Sequence, residues 1–384
     1  MSETPGPGAN VARLRKARGL SQTALARRAD VSLSLLTKIE TGQRALTQGT
    51  AATLARAMGV TLDELLGVAR AADETRVREL TATIRRFDIP GEAPPVQEVA
   101  RLLGDVVARR SAADLAGVLD RLPALVAATQ SRAHHTERPE DWAAVASAYS
   151  TVYWLAARHR WMTLADLAVM RQRVAAELSG PLAVAIAARD EAGTFLNTGD
   201  FDGGLTVVDR AVVAAASIRD EHERAQSLNA LHLRGLTLAG RIKDRREAER
   251  HRAAALRTAE QFDVDEDIDG ISVGPANTLT HVVATDVDME NYRAAIDAAP
   301  GAVDPASGLP ATRIAPTHMN VARAHLALHD RDRALDSLQD AWAAAPQMAR
   351  VHPTSQELLR VLISLHRYSN PALTRLARRA DVGM

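Results

Sequence analysis

The stretch that most constrains this chain runs from Gly19 to Gly42, GLSQTALARRADVSLSLLTKIETG, where two short helical patterns are separated by a three-residue turn. Ser21 can cap the first helix, because a serine hydroxyl accepts from a backbone N–H two or three residues on. Leu25 and Ala26 then face inward. The turn is Ala29-Asp30-Val31, and Asp30 falls where a left-handed backbone is expected, a conformation Asp tolerates better than most residues other than Gly and Asn. Ser32 restarts the chain as a second cap. Leu36 and Ile39 fall on one side of the second helix, leaving Ser32, Leu33, Ser34, Thr37 and Lys38 on the other. That outer face is small and hydroxyl-rich. It fits the DNA major groove, where Ser and Thr reach either base type and Lys prefers guanine O6 and N7; it equally fits a helical hairpin with a solvated face.

The surroundings add weight to the first option. Arg13, Arg15, Lys16 and Arg18 precede the pair, Glu40 closes it and Arg44 follows in a loop. Leu54, Met58, Val60, Leu62 and Leu65 supply two further helices, the last opened by a Thr61-Leu62-Asp63-Glu64 capping box. Residues 10 to 67 resemble the lambda repressor/Cro-like (xenobiotic response element) helix-turn-helix family, with Gly19, Leu20, Ser21, Gln22, Leu25, Ala26, Val31, Ser32, Ile39, Glu40 and Gly42 in its pattern. The resemblance implies a five-helix domain bound to double-stranded DNA. It implies that Gln22 contacts a phosphate and that Leu33, Ser34 and Lys38 face bases, Leu33 through a thymine methyl. Thr41, Gln43 and Arg44 would meet the DNA backbone, and Arg15 and Glu40 would form an internal ion pair. Asp30 departs from the family's usual turn glycine.

A net charge of zero conceals an asymmetry. Residues 1 to 70 carry ten Lys/Arg against five Asp/Glu, and the remainder carries 37 against 42, so the chain divides into +5 and −5. The basic part is the part that resembles a DNA reader, the sign expected for a phosphate partner. The sequence has no cysteine, which removes disulfides and thiolate zinc sites. It has no apolar run of about 18 residues and no basic-then-apolar amino terminus, so a cytoplasmic protein without a membrane span is expected.

Residues 1–9 read as a disordered tail, 10–68 as the DNA-binding domain, 69–95 as a linker and 96–384 as a second domain. Within the linker, 72–87 forms a mostly polar helix with Val77, Leu80 and Ile84 at helical spacing, and DIPGEAPP breaks it. Beyond Pro95 almost everything reads as helix, with breaks at 131–141, 179–181, 197–200, 263–277 and 300–310. The helices read as pairs. Ala192, Phe195, Gly199, Phe201, Gly204, Val208 and Ala211 show the small and large alternation of one pair; Ala322, His325, Ala334, Leu338, Ala341 and Pro346 repeat it. The pattern resembles tetratricopeptide repeats, although turns near 160, 199, 240, 288 and 330 give a period of roughly 40 against the family's 34. The carboxyl half also resembles bacterial helix-turn-helix regulators with repeat-type sensor domains.

Three features of the second domain are candidates for binding. Trp142, Tyr149 and Tyr153 share a helix face at i, i+7 and i+11, with Trp154 and Trp161 on another, as either core or pocket. Asn229 and His232, Asn277 and His281, and Asn320 and Arg323 recur three or four residues apart on first helices of pairs, where Asn can bond a peptide backbone and Arg can clamp a carboxylate. Asp265 to Gly270 fits half of a calcium loop, but its twelfth position is Ala276 where a bidentate Glu is needed, which favours a solvated acidic loop. No phosphate-cradling G-x-x-x-x-G-K, H-E-x-x-H or G-x-S-x-G occurs, and His134-His135 is expected in a polar loop. The reading is an all-α, non-enzymatic, cofactor-free transcription regulator, expected to bind an operator as a homodimer and to take a peptide or small-molecule effector in the repeats. The rival reading is a repeat-type interaction scaffold with incidental DNA contact.

Overall fold

Left-handed residues punctuate the second domain, and five of those described mark boundaries between its helices. Arg160, Gly199, Lys243, Glu290 and His329 have φ of 60°, 86°, 59°, 65° and 65°, at the turns expected near 160, 199, 240, 288 and 330. Three are followed at once by an aspartate, and Asp200, Asp244 and Asp330 cap the next helix by accepting from the backbone N–H of Gly203, Glu247 and Arg333. A left-handed residue that ends one helix and a carboxylate that starts the next reverse the chain in the space of two residues. This device generates antiparallel pairs.

The computed structural model describes residues 7–60, 62, 65, 74–366 and 370–380. The head comprises α1 (Pro7–Ala17), α2 (Gln22–Arg28), α3 (Leu33–Glu40) and α4 (Gln48–Met58). Its core is formed by Val11, Leu25, Leu36, Ile39, Leu54 and Met58, joined by Leu62 and Leu65. The expected capping box at 61–64 lies outside the described residues apart from Leu62, and so does the tail up to residue 6. Helix α1 starts at Pro7, inside the segment expected as tail, because proline is pre-set for a first helical position.

The linker helix α5 (Glu74–Arg85) leads into α6 (Val96–Ser111), α7 (Leu115–Thr136), α8 (Pro139–His159), α9 (Met162–Glu177), α10 (Pro181–Thr198), α11 (Phe201–Ala215), α12 (Glu221–Ile242) and α13 (Arg245–Ala259). A hairpin of β1 (Glu266–Ile268) and β2 (Ile271–Val273) follows, with Ile268 opposite Ile271. The chain continues as α14 (Pro275–Asp288), α15 (Tyr292–Ala302), α16 (Ala311–Ala327), α17 (Arg331–Ala344), α18 (Pro346–Val351), α19 (Pro353–His366) and α20 (Pro371–Ala380). The fold is all-α with this one small sheet among the described residues.

Three expected breaks differ in detail. The segment 131–141 is almost wholly helical, because Arg132 and Thr136 at the end of α7 both bond Asp141 at the start of α8 and compress the turn to two residues. His134 is therefore not in a polar loop; its ring packs edge-on against Phe87 and Trp142 with centroids 5.5 and 4.9 Å apart. The acidic stretch near 265 folds into the hairpin, where Asp267 accepts from Gly270 N and Asp265 accepts from Asn277 N at the start of α14. Helix α15 runs through Pro300 to Ala302, shortening the break expected from residue 300.

The helical array closes on itself. Buried residues of α5 to α9 share one apolar core with Ala315, Met319, Leu338, Trp342, Leu358 and Leu376 from the carboxyl-terminal helices. At the seam Gln347 accepts from Ala116 N at 3.0 Å and donates to Asp114 Oδ1 at 3.0 Å. Closure places the inward helix faces away from water, and polar side chains there must find partners or remain unpaired.

Candidate nucleic-acid interface and interior cavities

The hairpin of α2 and α3 is built from caps and one buried ion pair. Ser21 Oγ accepts from Ala24 N at 3.0 Å and Ser32 Oγ from Leu35 N at 3.1 Å, and Asp30 between them has φ of 51°. Glu40 receives Arg15 Nε at 2.7 Å, Arg15 Nη2 at 2.9 Å and Gln22 Nε2 at 2.8 Å. Burial pushes the Glu40 carboxyl up, but these hydrogen bonds outweigh it and hold the carboxyl below its usual range. Helices α1 and α2 are thus both tied to the last turn of α3.

The outer face of α3 is open. Leu33 is 45% exposed, and Ser34 and Lys38 are exposed beside it. Ser32 is committed to its cap, and the hydroxyls of Thr37 and Thr41 bond back to Leu33 O and Thr37 O at 2.9 and 2.8 Å. Gln22 has one amide N–H engaged by Glu40, and Gln43 is exposed. Arg44 lies 3.7 Å from Glu290 of the second domain. Arg27 and Arg28, at the end of α2 and absent from the sequence-derived set, are exposed on the same hairpin.

The head is seated on the repeats through α4. Ala52 packs with Phe201, Val208 and Leu238, and Arg56 Nη2 donates to Gly199 O at 3.2 Å. Gly49 is closest of all: a Cβ there would come within 2.7 Å of Arg241 O. Leu46 N donates to Glu357 Oε1 at 3.4 Å. None of these contacts is signalled by a motif, since each joins residues far apart in sequence.

Of the side chains expected to bind an effector, most are structural neighbours of one another. Tyr149, Trp142 and Tyr153 are 0%, 6% and 6% exposed in the main core, with the Tyr149 hydroxyl bonded to Gln130. Asn229 donates to Ala255 O at 3.1 Å and accepts from Gly274 N at 3.2 Å, and Asn277 donates to Ser272 O at 2.7 Å. These amides tie the hairpin to α12, α13 and α14. His232 Nδ1 lies 3.0 Å from His251 Nδ1; burial, aided by Arg250, lowers the two rings to about 4 and about 3.

His281, Asn320 and Arg323 are brought together with Arg241, Arg313 and His352 around a cavity of about 160 Å³. A second cavity of about 410 Å³ opens between α8, α9, α10 and the hairpin, with Ala143, Leu182, Ile186 and Ile271 in its wall. Ser147 Oγ and Gln172 Oε1 of that wall are buried without hydrogen-bond partners.

Residues 11–65 match the family model described as "Helix-turn-helix". The amino-terminal unit is therefore a helix-turn-helix of the kind carried by DNA-binding regulators. No curated protein matches the chain. Among solved structures the chain is similar to "BtubC (BKLC) from P. vanneervenii", at 14% identity and a TM-score of 0.41, over 71% of this chain and 91% of that one. No helix among the described residues is long and apolar enough to cross a membrane.

Proposed function

We propose that this protein is a sequence-specific transcription regulator that binds an operator as a homodimer in the cytoplasm and is controlled by an effector held in its helical repeats. The observation that carries the reading is the outer face of α3. Leu33, Ser34 and Lys38 stand exposed there while everything behind them is locked by the Arg15–Glu40–Gln22 cluster. A rigid helix that presents an apolar contact, a hydroxyl and a cation suits readout of base edges, with backbone-directed groups fixing its register. Gln22, Thr41, Gln43 and Arg44 are the residues we assign to phosphates. One head buries too little surface for tight specific binding, and two-fold operators match paired heads.

The repeats supply the control. The effector, a peptide segment or a small molecule, is taken in the closed interior and acts by favouring one seating of the head over another. A mobility-shift titration on DNA from the protein's own promoter region and on random DNA of equal length, at two salt concentrations, tests the reading. Preference for the promoter fragment, lost in the Ser34→Ala/Lys38→Ala variant, is the expected result. Absence of DNA binding at low salt would overturn it in favour of an interaction scaffold.

A further inference from the structure

The 160 Å³ cavity is unusual in its electrostatics. Its wall contributes Arg241 from α12, Arg313 and Arg323 from α16, His281 and His352, together with five threonines, and no carboxylate. One carboxylate is in direct contact with the wall: Asp288 takes Arg241 Nη1 at 2.7 Å and Arg323 Nη2 at 2.9 Å. Arg241 Nε is buried with no hydrogen-bond partner. The Arg313 guanidinium has no hydrogen bond or ion pair among the described residues, although the Arg313 backbone bonds Pro310 O and Thr317 Oγ1.

Three guanidiniums against one carboxylate leave an excess of two positive charges in a desolvated space. Burying unpaired cations side by side is costly, and a chain that needed only packing here would place apolar groups of similar volume. Beyond the wall, Arg189, Arg110 and Arg234 add to the excess and Asp267 offsets part of it. Burial, with Arg189, Arg110 and Arg234 nearby, lowers Arg313 to about 9, and burial with neighbouring arginines drives His281 and His352 far below their usual range. Arginine forks and threonine hydroxyls together form the donor set that phosphate and carboxylate oxygens accept from. The space is wide enough for several waters, and so for an anionic head of phosphate or short-dicarboxylate size.

We infer that this cavity binds a small dianion, a phosphate monoester or a dicarboxylate, with Arg313 as its principal ligand and Arg241 and Arg323 closing on it from the sides. As the effector site of the regulator this rests on the reading above. Arg241 links the two: it lines the cavity while its carbonyl lies against Gly49 of the head. A dianion that draws Arg241 from Asp288 shifts the end of α12 on which α4 sits.

The test is thermal unfolding of the full chain in inorganic phosphate, in succinate and in chloride at matched ionic strength, for the natural protein and for Arg313→Met. The natural protein should melt several degrees higher in phosphate or in succinate than in chloride, and the better of the two identifies the headgroup. Arg313→Met should melt no lower than the natural protein in chloride, since a repulsive charge is gone, and should lose the anion shift. Equal melting of the natural protein in all three salts, or an undiminished shift in Arg313→Met, overturns the site. Promoter binding is then titrated with the stabilising anion. A severalfold change in affinity, absent in Arg313→Met, supports the effector role, whereas unchanged specific binding removes that role and leaves the anion site. Failure to bind promoter DNA with an intact anion shift sinks the regulator reading alone.

Discussion

Arg44, in the loop that follows the recognition helix, lies 3.7 Å from Glu290, and Glu290 also takes Lys243 at 2.8 Å. The loop cation assigned to DNA phosphate is thus shared with the repeat domain. Because both Arg44 and Glu290 are about half exposed, the pair itself is weak, worth about 0–1 kcal/mol. Its effect on DNA is larger in kind than in size. Glu290→Gln should raise operator affinity less than tenfold and steepen the dependence of log K on log salt by about one unit, as one more cation becomes available to phosphate. Equal affinities and equal slopes for the two proteins would show that Arg44 does not meet DNA.

Glu40 holds α1, α2 and α3 together, and its side chain and that of Arg15 are 4% and 9% exposed. Removing the charge leaves the buried Arg15 guanidinium without its counter-ion, with Leu20 O as its remaining strong acceptor, so Glu40→Gln should destabilise the head by about 3 kcal/mol. The pH dependence has a definite sign. A carboxyl held below its usual range stabilises the fold above the unfolded value of about 4.5 and ceases to do so as pH falls through its folded value. The natural head should lose stability in acid below about pH 4.5, and the variant should lose less; urea titration followed by DNA binding measures both.

Local chemistry made the head and the turns legible. Leu36 and Ile39 are inward because of spacing alone, and both are buried in the structure. The turns near 199, 240 and 330 are legible because a left-handed residue followed by a capping aspartate is a two-residue device with no long-range term. The cavity was not legible in the same way. Asn229 and Asn320 look alike in sequence, yet Asn229 is 0% exposed and pinned between Ala255 and Gly274, while Asn320 orients Arg323 at the cavity. What separates them is the closure of the array, which depends on contacts such as Gln347 with Asp114 between distant helices. Arg313 carried no motif, and only the lack of a partner in three dimensions marks it. The seat of the head on α10 to α12 is hidden for the same reason.

His232 and His251 offer a readout of the repeat domain by itself. Burial lowers them to about 4 and about 3, so both are neutral in the folded protein at neutral pH. A base with a depressed folded value stabilises the fold fully above its unfolded value of about 6.5, and that stability is lost as pH falls from there toward the folded values. Each ring contributes up to about 1.4 kcal/mol per pH unit in that window. His251→Gln should cost stability at pH 7.5, because the ring fills the space beside Gly235, and should flatten the decline between pH 6.5 and 4.5. Melting curves across that range give the slope; an unchanged slope would place the titrating proton elsewhere.

Glu357 acts in the opposite sense. It is 5% exposed beneath Leu46, and burial, only partly offset by Arg360 and the Leu46 N–H, pushes its carboxyl up to about 7. A carboxyl raised above its unfolded value of about 4.5 leaves the fold at full strength below that pH and weakens it as pH rises through about 7, where the buried group must ionise. Between about pH 4.5 and 6.5 the two histidines favour higher pH and Glu357 favours lower pH, so their contributions oppose one another there. Glu357→Gln keeps an oxygen for Leu46 N and removes the ionisation. The variant should match the natural protein below about pH 4 and exceed it by up to about 3 kcal/mol at pH 8. Because Leu46 belongs to the head, the variant should also hold the head on the repeats more firmly at pH 8, seen as slower amide exchange at Leu46. Equal stability of the two proteins at pH 8 would mean that water reaches the carboxylate.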